Sequence, residues 1–123
     1  MAHLIHLKTH ADKRGALTVV EKVLDFDIKR IYYIYNVDDS ERGGHRHKIT
    51  KQAAICIKGS CEIYVNNGDS ESTFILDSPD KCLVLETIDW HTMSRFSPDA
   101  VLLVMASENF DAEDYIFEAY EKR

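Results

Sequence analysis

Two histidines, His45 and His47, stand one residue apart in the stretch Arg42-Gly43-Gly44-His45-Arg46-His47-Lys48. On an extended strand, alternation turns both imidazoles to the same face. Gln52 and Gly59 follow, completing the pattern HxHx4Qx6G, and Trp90-His91 brings a third histidine from a later segment. Two same-face histidines on one strand and a third on a neighbouring strand can converge inside a small barrel. There they can hold a divalent metal, or act as bases within reach of one ligand. Imidazole suits proton transfer because its ordinary pKa lies close to neutral pH.

The surroundings of the pair are basic. Residues 42 to 51 carry Arg42, Arg46, Lys48 and Lys51 and no acid, although the chain has 15 Lys and Arg against 21 Asp and Glu, a net of −6. An acidic chain gains little from DNA or RNA by counterion release, so nucleic acid is excluded as the main partner. A local basic stretch on such a chain fits a small anionic ligand. Guanidinium groups bind phosphate oxygens in bidentate fashion, which lysine cannot copy. Arg42 and Arg46 flank the histidines in sequence, and Arg30 and Tyr32 share one face of a strand. Gln52 and His91 are further pocket candidates.

The elements that must position these residues are short and extended. Segments 17–20, 28–37, 52–58, 61–65, 72–76, 81–85, 91–96 and 100–106 are rich in β-branched and aromatic residues. Gly59-Ser60, Asn67-Gly68, Ser78-Pro79-Asp80 and Ser97-Pro98-Asp99 separate them at roughly ten-residue intervals, the spacing of an all-β sandwich or barrel. Asn67-Gly68 predicts a hairpin, since both residues tolerate positive φ. His3, His6 and His10 alternate with apolar residues, as on an exposed edge strand. The tail from Asp111 to Arg123 changes period: Asp111 is a helix N-cap candidate and Lys122 and Arg123 suit a C-terminal end. One short C-terminal helix is expected there.

A chain of 123 residues makes a single domain, 1–123, with no linker or repeat. The longest apolar run, Ala100 to Ala106, falls well short of the ~20 residues of a membrane helix. The N-terminus lacks a signal-peptide h-region, so no membrane association and a cytoplasmic location are expected. Cys56, Cys61 and Cys82 are odd in number and have no CxxC spacing, which argues against a disulfide framework or a zinc site.

The histidine pattern is similar to the first cupin motif, with Gln52 where an acid is usual, and His91 corresponds to the later-strand histidine. Over residues 14 to 115 the chain resembles the nucleotide-sugar 3,4-ketoisomerases, the WxcM-like cupins. The resemblance runs in order through Arg14-Gly15-Ala16-Leu17, Phe26 to Tyr35, Arg42 to Lys48, Gly59-Ser60-Cys61, Leu76 to Pro79, Trp90 to Met93, Ala106-Ser107 and Asp114-Tyr115-Ile116. It implies a small cupin, or jelly-roll barrel. It implies an isomerase that moves the keto group of dTDP-4-keto-6-deoxyglucose from C4 to C3, without a cofactor or metal, on the way to a 3-amino deoxysugar of a surface polysaccharide or lipopolysaccharide.

On this resemblance His47 is the C3 base and His45 its partner, moving protons among O3, O4 and C4. Arg14, Arg30, Tyr32, Arg42, Arg46, Gln52 and His91 bind the dTDP-linked hexose, and Trp90 is a candidate to stack on thymine. A homodimer is implied, with residues 3 to 20 of one chain exchanged into the other's site. Two other readings of the same residues are a metal-dependent cupin enzyme, with His45, His47, Gln52 and His91 as ligands, and a non-catalytic sugar-nucleotide-binding cupin.

Overall fold

The computed structural model describes residues 1–121. Two five-stranded sheets, all of whose pairs are antiparallel, face one another as a jelly roll. The first has the order β1 (His3–His6), β9 (Lys81–Leu85), β6 (Gln52–Lys58), β11 (Val101–Ala106), β4 (Arg30–Ile34). The second has the order β12 (Tyr115–Ile116), β5 (Arg42–His47), β10 (Trp90–Ser94), β7 (Cys61–Asn66), β8 (Glu71–Leu76). A hairpin of β2 (Lys8–Asp12) and β3 (Gly15–Val19) forms a small sheet of its own.

Alternation explains the packing. Along β7, Cys61, Ile63 and Val65 are buried while their neighbours are half-buried. They meet Ala54, Cys56, Leu83, Leu85, Leu102 and Val104 of the first sheet in one core. Each large aliphatic side chain buried there contributes roughly 1.5–3 kcal/mol relative to exposure. β6 is central and buried on both faces. Its other face, with Ala53 and Ile55, joins Leu7, Cys82 and Met105 under Val20, Leu24 and Phe26. The three cysteines are free and buried, as small core residues.

The turns differ from one another in kind. Gly59-Ser60 carries the chain from the first sheet to the second, and a Cβ on Gly59 would lie 2.2 Å from Ser97 Oγ and 2.9 Å from Ala100 Cα. Only glycine fits that approach, which also needs a positive φ of 71°. The β7–β8 hairpin is closed by the four residues 67–70 rather than two: Asn67 accepts from the Asp69 and Ser70 amides through its side chain.

The expected C-terminal helix is only a single 3-10 turn, Ala112–Asp114. Asp111 does cap it, accepting from the Glu113 amide. The turn cannot continue because Asp114 is drawn inward and Tyr115–Ile116 pair with β5, so the ladder takes the backbone groups a helix would use. The basic helix end expected at Lys122 and Arg123 lies outside the described residues. Among the described residues no helix is long and apolar enough to cross a membrane.

Candidate functional site

One end of the core is polar. In the first sheet, Arg30 pairs with Ala106, Ala106 with Gln52, and Gln52 with Leu85, so these side chains share the inner face. The methyl of Ala106 leaves space for the longer groups on either side. Gln52 donates through Nε2 to the Tyr32 hydroxyl at 3.0 Å, and the Arg30 guanidinium lies 4.5 Å from the Tyr32 ring centroid. Burial raises the Tyr32 phenol above its ordinary pKa, and the charges of Arg30 and Arg42 oppose this.

The second sheet supplies the histidines. His45 is the cross-strand partner of His91, and His47 that of Tyr115, which turns all four rings to one face. Ring centroids are 4.9 Å apart for His45 and His47, 5.0 Å for His45 and His91, and 6.5 Å for His47 and His91. Tyr115 lies 4.6 Å from both His45 and His47. The Gly43-Gly44 pair, both at positive φ, makes a bulge: His91 faces His45, but Thr92 already faces Gly43 and Met93 faces Arg42. The extra residue brings Arg42 onto the histidine face. Without it, Arg42 and His45, three positions apart, would point to opposite sides.

Hydrogen bonds orient two of the rings. His47 donates from Nδ1 to Asp114 Oδ2 at 2.9 Å, and His91 donates from Nδ1 to the Asp89 carbonyl at 3.0 Å. Asp114 also accepts from the Ile49 amide and the Thr50 hydroxyl. Among the described residues, His47 Nε2, His91 Nε2 and Gln52 Oε1 are all buried without a partner. All three are lone-pair acceptors, so the site is complementary to a ligand that presents hydroxyl donors.

Electrostatics keep the imidazoles neutral. Burial, helped by the charge of His47 and opposed by the Gly43 backbone, pushes His45 down to about 4. Burial pushes His91 down to about 4 against the Asp89 carbonyl bond. His47 is also lowered by burial, although its bond to Asp114 works the other way. Burial also opposes ionisation of Asp114, but its bonds to Thr50, Ile49 and His47 hold the carboxyl below its usual range. Among the described residues, no group of three His, Cys, Asp or Glu side chains is arranged to hold a metal ion.

Seven sequence candidates therefore come together: His45, His47, His91, Gln52, Tyr32, Arg30 and Arg42. Arg46 does not join them, because alternation turns it outward, where its guanidinium lies 4.9 Å from the Tyr120 ring. Nor does Arg14. It sits at the tip of the β2–β3 hairpin, exposed and bonded to Asp12 at 2.6 Å. Trp90 is neither core nor free, since its Nε1 donates to the Phe117 carbonyl at 3.1 Å. Sequence reasoning gave no role to Asp114, Thr50 or Tyr115, all of which touch His47 directly or through one bond.

Comparison with known proteins identifies the family. The family model described as FdtA: WxcM-like, C-terminal matches residues 1–122. The TDP-4-oxo-6-deoxy-alpha-D-glucose-3,4-oxoisomerase of Aneurinibacillus thermoaerophilus is 40% identical over 116 residues, 92% of this chain and 84% of that one. QdtA, a sugar 3,4-ketoisomerase from Thermoanaerobacterium thermosaccharolyticum in complex with TDP, is 43% identical with a TM-score of 0.91, over 95% of this chain and 88% of that one. A 3,4-ketoisomerase from Helicobacter canadensis is 38% identical with a TM-score of 0.91, over 95% of this chain and 90% of that one. Matched from end to end in sequence and fold, the chain belongs to the WxcM-like family.

Proposed function

We propose that the chain is a sugar-nucleotide 3,4-ketoisomerase acting on dTDP-4-keto-6-deoxyglucose, with His47 as the base and His45 as its partner. The observation that carries the reading is the buried, unpartnered Nε2 of His47, directed away from the Asp114 bond. The C4 ketone acidifies the C3 proton, and the neutral His47 imidazole takes it. Charge moves onto O4 in an enediolate. The O3 proton passes to O4 with His45 as carrier, C4 receives its proton through His45, and the proton held by His47 returns to solvent. No hydride moves. His91 and Gln52 accept from sugar hydroxyls, and Arg30 and Arg42 draw the diphosphate.

The same reading includes a homodimer. All five residues of β2 are exposed, Leu17 on β3 is 61% exposed, and the hairpin bonds to neither large sheet. A second chain that received it would cover this surface and could take Arg14 into its own site. The exchanged piece is residues 3–20, of which the β2–β3 hairpin is the exposed part. A cytoplasmic location and a place in surface-polysaccharide synthesis accompany this reading.

The test is to incubate the protein with dTDP-4-keto-6-deoxyglucose in deuterated water and follow the sugar by NMR. The carbonyl carbon should move from C4 to C3, with deuterium entering the ring. A bound sugar that neither isomerises nor exchanges its C3 proton would leave a binding protein instead.

A further inference from the structure

The carboxylate of Asp114 accepts three hydrogen bonds, and their distribution over its two oxygens is specific. Oδ1 takes the Ile49 amide at 2.8 Å. Oδ2 takes both the Thr50 hydroxyl and His47 Nδ1. The Asp114 main chain is fixed too, because its carbonyl accepts from the Lys48 amide at 2.9 Å. The carboxylate is thus bound to the loop that follows β5, the strand that carries His47. His47 and Asp114 are both nearly inaccessible to solvent.

An ionised carboxylate has no proton to give, so its bond to a neutral imidazole requires the proton on Nδ1. The lone pair is then on Nε2, the buried atom left without a partner. Which nitrogen of a histidine is basic is set by the bond the other one makes. We infer that Asp114, oriented by the Ile49 amide and the Thr50 hydroxyl, is a positioning residue that holds His47 as the Nδ1–H tautomer so that Nε2 presents its lone pair to the pocket. The catalytic consequence rests on the reading of His47 as the base; the tautomer does not.

Asp114→Asn makes this testable, because the backbone dictates how the amide must sit. Ile49 N–H can only donate. An amide nitrogen placed against it would set two donors face to face, so the amide oxygen occupies the Oδ1 position. The NH2 group then falls at the Oδ2 position, opposite Thr50 and His47. The Thr50 hydroxyl can rotate to accept. His47 can accept at Nδ1 only by carrying its proton on Nε2, which removes the lone pair from the pocket. The substitution thus exchanges the tautomer with almost no change in shape. Thr50→Val removes one donor and leaves the Ile49 and His47 bonds in place.

The experiment labels histidine ring nitrogens with 15N and reads the tautomer by NMR in the intact protein. Wild type and Thr50→Val should show His47 as Nδ1–H, and Asp114→Asn should show it as Nε2–H. In parallel, Asp114→Asn should lower kcat by ~10²–10⁴-fold, the usual contribution of a positioned general base, with KM and dTDP binding little changed. A wild-type His47 in the Nε2–H form would overturn the inference with no variant needed, and so would an Asp114→Asn protein that keeps Nδ1–H. An exchanged tautomer with undiminished C3 proton exchange would leave the positioning role standing and remove His47 as the base.

Discussion

His45 and His91 are direct partners across neighbouring strands, with ring centroids 5.0 Å apart in a buried polar end of the core. Each is pushed down to about 4 from an ordinary 6.5, first by burial and in part by neighbouring imidazole charge. Between pH 6.5 and about 4 the unfolded chain therefore binds protons that the folded chain refuses. Stability should fall as pH is lowered through that window. The expected result is a Tm that declines steadily from pH 7 to pH 4, with a shallower slope in His91→Gln. A Tm that is flat across the window would show that both rings accept protons without cost.

The two histidines of β5 should be separable by their exchange chemistry. His47→Asn should abolish both turnover and deuterium entry at C3, a loss of ~10²–10⁴-fold for a general base. His45→Asn should lower turnover but keep some C3 exchange, because the first proton transfer survives. Affinity for dTDP should change little in either, since on the proposed reading the diphosphate is assigned to Arg30 and Arg42. Equal, mild losses in both variants would place the base elsewhere.

How much of this was legible in the sequence depended on how local each signal was. Strand alternation, the turn residues and the HxH spacing are properties of neighbours in the chain, and they located β3 to β11 and put His45 and His47 on one face. The same alternation put Arg30 and Tyr32 on one strand face, the spacing offered Gln52 and His91 as further pocket candidates, and the resemblance supplied the sugar nucleotide. The tail misled because Asp111 read as a helix start. The cap formed, but the partners of Asp114 are His47 and Thr50, more than sixty positions away, and no local pattern names them. Arg46 misled for the opposite reason: being next to two pocket residues on a strand is what places it outside.

Removing metal ions should leave the isomerase working. The position where the pattern usually carries an acid is Gln52, whose amide is a weaker divalent ligand than a carboxylate and is already bonded to the Tyr32 hydroxyl. After exhaustive EDTA treatment and desalting, the rate of carbonyl migration should match the untreated enzyme. Loss of activity restored by one specific divalent ion would favour the metal-dependent reading.

Gly59→Ala should be among the most damaging single-methyl changes. The new Cβ would overlap Ser97 Oγ and press on the Ala100 backbone, and the residue would keep a positive φ. Ser97 cannot simply turn away, because its hydroxyl accepts from the Ser60 amide and donates to Asp99. Strain at such a position costs about 1–3 kcal/mol before the overlap is counted. Chemical denaturation should show a loss of at least that size with an unchanged m-value. A stability within error of wild type would mean that the two nested turns can separate freely.

The last expectation concerns Arg14, a phosphate candidate that its own chain leaves in solvent, away from the histidines. Among the described residues its hairpin pairs with neither large sheet, and its guanidinium is bonded to exposed Asp12. An exposed pair of this kind contributes little to stability, so nothing in the isolated chain accounts for the residue. In an exchanged dimer, Arg14 of one chain and His47 of the other would serve the same site. Arg14→Ala should then raise KM, and His47→Asn should abolish turnover, each as a pure dimer. Unfolding and refolding the two variants together should restore some normal sites, because a mixed dimer contains one site with the intact Arg14 of the His47→Asn chain and the intact His47 of the Arg14→Ala chain. At substrate concentrations below the raised KM, recovery above the average of the two parents, with a fraction of the wild-type KM behaviour, is the expected outcome. A mixture no better than that average, or light scattering that gives a 14.1 kDa particle, would return Arg14 to the solvent-exposed surface of a chain that works alone.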